Sequence, residues 1–363
     1  MNNRQELADA INHRKPARIP YTIECTRETS ERLWQYLGLP TDSDLVKYFE
    51  CNHFDSLWRG IGKGFTLPER MERLKPASSD VRVDIWGIKR EQVQAGNARY
   101  WEISESPLAK CETAADIENY DWPTIDDVVF PDLPDGFDLA DWKKDKFVMD
   151  MSYICPFGVP WAMRGMENLM MDLYLNPQIV EAIVRKVEEY TLSCLEAVLK
   201  KYPGAIDMVG CGDDYGTQNG LLIAPDAIQK FFMPSLKRHY ELAARHGVGG
   251  YHHCCGAIFE IIPMMIDAGV QVLNPIQTSA KGMSPVELKK EFGKDLCFHG
   301  GIDTQETLVT GTPDDVRAEV RSRIDVLGPE GYILGPSHVL LQADVNPANI
   351  VALFEEARSY GSR

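Results

Sequence analysis

Val248-Gly249-Gly250-Tyr251-His252-His253-Cys254-Cys255-Gly256 runs directly into Ala257-Ile258-Phe259-Glu260-Ile261-Ile262. The first segment opens apolar and glycine-rich and reads as a short strand. The second reads as the start of a helix. Four soft or borderline metal ligands, His252, His253, Cys254 and Cys255, sit at the junction. In parallel α/β folds this position, a strand's C-terminal end just before a helix, is where active sites are placed.

The same alternation extends outward in both directions. Strands are predicted at 147–151, 205–210, 248–254, 270–274, 296–299 and 332–335. Helices are predicted at 167–200, 225–246, 258–268, 285–292, 313–327 and 346–360, where apolar residues such as Ile179, Ile183 and Val187 recur at helical spacing. Adding 18–24 and 54–58 brings the strands to eight. Strand–helix units in this order favour an α/β fold of the (β/α)8, or TIM, barrel type over an open doubly wound sheet. Residues 81–103 alternate and carry Gly87 and Gly96, which predicts an antiparallel hairpin among the N-terminal additions. Residues 112–145 are acidic and rich in Asp, Pro and Trp and read as irregular connecting structure. The whole chain, 1–363, is expected to form a single barrel domain with 81–145 as an insertion.

Composition narrows the function classes. An apolar fraction of 44% and a charged fraction of 25% are those of a globular protein. A net charge of −16 argues against sequence-independent nucleic-acid binding and against an anionic membrane surface. The longest apolar stretch, 257–272, is broken by Glu260, Pro263 and Asp267 and does not fit a membrane span. The N-terminus lacks the apolar core of a secretory signal. Nine scattered cysteines do not read as a disulfide framework, so a cytoplasmic location is expected.

In a barrel the C-terminal strand ends face one mouth. Reading those ends gives Glu24 and Cys25, Tyr153 and Cys155, Cys211, Asp213 and Asp214, His253 and Cys255, Asn274 and Gln277, His299 and Asp303, Ser337 and His338. Core packing gives no reason for so many polar groups there, which points to an enzyme. Residues two apart on a strand share a face, so His253 and Cys255 are placed to bind one ion, with His252 and Cys254 turned away. Imidazole plus thiolate suits Zn²⁺, and a catalytic zinc needs three protein ligands. The third is expected from His338, Asp213, Asp214 or Cys211. The plain alternative is a buried cysteine pair with satisfied histidines. Asp213-Asp214 is read as holding a substrate, a metal or a proton, against the alternative of a capping acid. His299-Gly300-Gly301-Ile302-Asp303 is read as an anion-holding turn. His239 is read as a surface or packing residue and Cys194 as a core residue.

These pieces resemble the uroporphyrinogen decarboxylase superfamily. They are Gly212-Asp213-Asp214-Tyr215-Gly216-Thr217-Gln218, His253-Cys254-Cys255-Gly256, Leu273-Asn274-Pro275-Ile276-Gln277, His299-Gly300-Gly301-Ile302-Asp303-Thr304-Gln305, Gly335-Pro336-Ser337-His338 and Asn346-Pro347-Ala348-Asn349-Ile350. The resemblance implies a (β/α)8 barrel and one of two activities. Decarboxylases of that superfamily hold their substrate's carboxylates with an arginine-rich N-terminal segment. Here the corresponding stretch is Tyr21-Thr22-Ile23-Glu24-Cys25-Thr26-Arg27, with only Arg27 and Arg32 nearby. The other branch looks like corrinoid-linked methyltransferases, which carry a His-x-Cys zinc pair and a later Cys. His253 and Cys255 match the pair, but Ser337-His338 stands where the later Cys would be. Members of the superfamily are often dimers.

The reading that follows is methyl transfer. Zn²⁺ on His253, Cys255 and a third ligand (His338, Asp213 or Asp214) would act as a Lewis acid on a small thiol, methoxy or methylamine compound. Asn274, Gln277, His299 and Asp303 would contact the substrate. Methylcobalamin would arrive on a separate corrinoid protein. The alternative is a cofactor-free decarboxylase, with Asp213 or Asp214 stabilising a protonated pyrrole-like ring and Tyr153 and His338 as hydrogen-bond partners. The third expectation is a barrel that binds without chemistry.

Overall fold

The structure, a computed structural model, describes residues 3–62, 80–95 and 98–362. Six parallel strands carry the C-terminal two-thirds, after an antiparallel hairpin sheet of β1 (Val81–Val83), β2 (Lys89–Ala95) and β3 (Ala98–Glu105). The parallel strands are β4 (Met149–Ile154), β5 (Met208–Gly212), β6 (Gly249–His253), β7 (Val272–Ile276), β8 (Cys297–Ile302) and β9 (Tyr332–Pro336), and they neighbour one another in chain order. Between successive strands lie helices, among them Pro177–Lys201, Met233–Arg245, Ile262–Ala268, Pro285–Phe292 and Pro313–Leu327. The expected strands and helices of this region are all present, each within a few residues.

The sheet has two apolar faces. Val209, Cys211, Leu273, Phe298 and Leu334 pack outward in the large core with the helices. Met208, Tyr251, Val272, Cys297 and Ile333 pack on Leu7, Ala10 and Ile11 of the helix Asn3–Ile11. A strand buried on both faces reads as a near-continuous apolar run, which is why apolar runs rather than alternation marked these segments. The Pro313–Leu327 helix starts on a capping box, Thr312 with Asp315, and Pro313 sits at its first turn.

The N-terminal expectations need correction. Segments 18–24 and 54–58 are not regular strands; they contribute single parallel bridges, Tyr21 to Leu334, Thr22 to Asn52 and Asp55 to Val148. Ser56 ends the extended run: its hydroxyl donates to Asp150, and Leu57–Gly60 turns helical, taking Trp58 out of the expected strand. The 112–145 stretch is not wholly irregular, since it holds the short helices Ala114–Glu118 and Leu139–Lys143. Cys194 is a core residue as expected, 2% exposed, and His239, read as surface or packing, is packed at 1% exposed. Among the described residues no helix is long and apolar enough to cross a membrane.

Asp150 carries an energetic cost of this junction. Burial pushes its carboxyl up to about 6, against the opposing pull of the Ser56 hydroxyl and the Leu57 amide. A carboxyl whose folded pKa lies above its unfolded value binds more protons when folded, so its contribution to stability falls as pH rises through about 4 to 6. Asp150→Asn is therefore expected to gain on the wild type by up to about 3 kcal/mol as pH rises from about 4 to 7. Urea unfolding of both proteins across that range checks it; a pH-independent difference would count against it.

Candidate metal site

The site grows from the register of three strands. Gly212 of β5 lies opposite His253 of β6, and His253 lies opposite Asn274 of β7. Tyr251 and His253 share the inner face, and His252 and Cys254 turn to the helix side, where both are fully buried. Alternation carries on past β5. Asp214 keeps the inward parity of Met208, and Asp213 the outward parity of Val209 and Cys211.

Two loops are pressed together beyond these strand ends. A Cβ on Gly216 would lie 2.6 Å from the Cys255 carbonyl oxygen. One on Gly256, whose φ is +91°, would lie 2.5 Å from the Gly216 backbone. Only glycine permits this approach. It lets the Ala257 amide donate to Thr217 O at 2.7 Å. The Cys255 amide donates to Asp214 Oδ1 at 2.7 Å, and the Gly256 amide to Gln277 Oε1 at 2.8 Å.

The result is a cluster of three ligand-capable side chains. The ligand atoms of Asp214, His253 and Cys255 all lie within 4.8 Å of one another. His253 Nε2 is 3.5 Å from Cys255 Sγ and 3.6 Å from Asp214 Oδ1. Tetrahedral zinc, with bonds of about 2.0–2.3 Å, separates its ligand atoms by roughly 3.3–3.6 Å. Both distances from His253 match that spacing, and imidazole, thiolate and carboxylate suit the ion in chemistry. The other ring nitrogen, Nδ1, is 2.9 Å from Asn274 Oδ1. Burial, then the neighbouring Asp214, pushes the Cys255 thiol up to about 12, so without a cation it holds its proton at neutral pH.

The remaining expected site residues fall elsewhere. Asp213 is fully buried and accepts from the amides of Phe157 (2.9 Å) and Gly158 (2.6 Å) and from the Tyr215 hydroxyl (3.3 Å). Burial pushes its carboxyl up to about 6 despite those bonds. His299 lies on the inner face, with Nε2 2.8 Å from Thr22 Oγ1 and Nδ1 2.9 Å from the Tyr251 hydroxyl. Burial lowers it to about 3, so it is neutral. Asp303 spends its carboxylate on its own turn, accepting from the amides of Gln305, Glu306 and Thr307. His338 has Nδ1 3.0 Å from the Leu340 carbonyl and is not in the cluster. Tyr153 belongs to β4, and its side chain lies outside the described residues. Sequence reasoning left four third ligands open. The parity of Asp214 with Met208 was the signal that separates it from Asp213 and Cys211.

The sequence model of the uroporphyrinogen decarboxylase (URO-D) family matches residues 114–360. A solved structure described as a methyltransferase from Methanosarcina mazei is similar over 99% of this chain and 99% of its own, with a TM-score of 0.61 and 16% identity. A likeness at that identity is one of fold. The IOLI protein, solved with a binding zinc atom, is 12% identical with a TM-score of 0.32, over 61% of this chain and 76% of that one. No curated protein sequence matches the chain.

The two adjacent acids divide into a structural and an exposed one. Asp213→Ala would leave two buried amides without their acceptor and is expected to cost about 2–4 kcal/mol. Asp214→Ala, at a side chain 53% exposed, is expected to leave stability within about 1 kcal/mol. Denaturant midpoints of the two variants check this; equal losses would refute the division.

Proposed function

The chain belongs to the uroporphyrinogen decarboxylase family, and on that premise we propose that it is a zinc-dependent methyltransferase. It acts on a small thiol, methoxy or methylamine compound together with a corrinoid, methylcobalamin, carried on a separate protein. The six-stranded sheet and the bridges at Tyr21, Thr22, Asn52 and Asp55 are taken as one (β/α)8 barrel spanning the chain, with 81–145 as its insertion. The nine cysteines are all unpaired, which fits a reducing cytoplasm.

The observation that carries the reading is the meeting of Asp214, His253 and Cys255, whose ligand atoms lie within 4.8 Å of one another. Zinc held there would supply Lewis acidity to the heteroatom that gives or takes the methyl group. The chain's own residues do the rest. Asn274 and the Cys255 amide orient His253 and Asp214, and the Gln277 side-chain oxygen accepts the Gly256 amide. Asn274 and Gln277 thereby serve the site through its ligands.

Decarboxylation of a polycarboxylate is disfavoured by two arrangements. Arg27 is paired with Glu31 and Asp42, and Arg32 donates to the carbonyls of Ala343 and Val345, so each would have to give up a partner to hold a substrate carboxylate. Of the two candidates for stabilising a protonated ring, Asp213 faces Phe157 and Gly158, and Asp214 lies beside His253 and Cys255.

Protein purified without chelator is expected to carry about one zinc per chain. His253→Ala and Cys255→Ala are expected to lose it with secondary structure retained, and Asp214→Ala to bind it more weakly. Demethylation of free methylcobalamin by a thiol, followed by absorbance, is expected to depend on the same residues. A wild type that binds no zinc after reconstitution would overturn the reading.

A further inference from the structure

His253 has two nitrogens with different neighbours. Nε2 faces Cys255 and Asp214, and Nδ1 faces the Asn274 side chain, at 2.9 Å. A neutral imidazole carries one proton, and the nitrogen that carries it cannot bind a metal. Which nitrogen keeps its lone pair therefore depends on what Asn274 presents. An amide oxygen accepts from Nδ1–H and leaves Nε2 open toward the two other ligands. An amide NH₂ would demand the opposite tautomer and put a proton where the ion belongs.

Asn274 is well placed to enforce this choice. It is 6% exposed, in a strand buried throughout, and directly opposite His253 in the ladder. Its backbone carbonyl accepts the Cys254 amide at 2.7 Å, a bond that no side-chain substitution removes. Its side chain spends its oxygen on the imidazole, which is a different task from contacting substrate.

We infer that Asn274 is a positioning residue: its side-chain oxygen holds His253 in the Nδ1–H tautomer, so that Nε2 points its lone pair at a metal shared with Asp214 and Cys255. This rests on the zinc reading above. An amide in this place, unlike a carboxylate, orients the ring without adding negative charge to it.

Two measurements test it. In metal-free wild type, the ring ¹⁵N shifts of His253, assigned against His253→Ala, are expected to report Nδ1–H; an Nε2–H ring overturns the inference without any variant. In zinc competition against a chromophoric chelator, Asn274→Leu is expected to bind about 10- to 100-fold more weakly than wild type. Asn274→Asp, which keeps an acceptor oxygen, is expected to restore wild-type affinity or exceed it, and the visible spectrum of its Co²⁺ form should remain tetrahedral. Equal affinity in Asn274→Leu and wild type overturns the inference and leaves the zinc reading standing. A wild type that binds no zinc removes both, and that measurement is made first.

Discussion

In a parallel sheet a slip of one residue sends every side chain to the opposite face. The pairing of Gly212 with His253 and of His253 with Asn274 therefore does more than close a ladder. It sends His253 inward above Tyr251 and His252 outward into the helical layer. It also gives Asp214, two residues past Gly212, the parity to meet it. The register is held by apolar side chains on both faces, Leu273 and Phe298 outside and Tyr251, Val272 and Cys297 inside. A slip of β6 would turn Tyr251 out of the inner core and carry His253 and Cys255 away from Asp214. The site is thus a consequence of the packing that makes the sheet.

The chain separates groups whose titration is disturbed from groups that meet. Asp150, Asp213, His239, His252 and His299 are all shifted, and in each case burial is the leading cause. Asp150 and Asp213 hold neighbouring loops through backbone amides, and His239 joins two helices through Thr191 and the Ser235 carbonyl. Only Cys255, among the strongly shifted groups, belongs to the cluster. Perturbed pKa values often mark functional sites, but structural networks perturb them too. Here geometry separates the two: chemistry needs atoms that converge, and burial alone does not make them converge.

Much of this was legible in the sequence. The six C-terminal strands follow from apolar runs bounded by Gly and helical periodicity, and the inward pairing of His253 with Cys255 follows from the period of two. The N-terminal third was less legible because Tyr21, Thr22, Asn52 and Asp55 pair only at isolated bridges, too short for periodicity to register. Parity with Met208 sets Asp214 apart from Asp213 and Cys211, but only the loop packing past β5 shows that it meets His253. The roles of Gln277 and Asp303 depended on loop geometry. Each side chain is a good hydrogen-bond former, and only the fold shows that one holds the Gly256 amide and the other its own turn.

The third donor bears on what the proposed centre would bind. Ser337 and His338 stand at the end of β9, where a second thiolate would make a soft, electron-rich ligand set. His338 is engaged with Leu340 instead, and Asp214 reaches the cluster from β5. One thiolate, one imidazole and one carboxylate donate less density to an ion than two thiolates and an imidazole, leaving it the stronger Lewis acid. A harder centre favours oxygen and nitrogen partners over sulfur. The neutral amide of Asn274 behind His253 works in the same direction, since a carboxylate there would return the charge that the missing thiolate withholds.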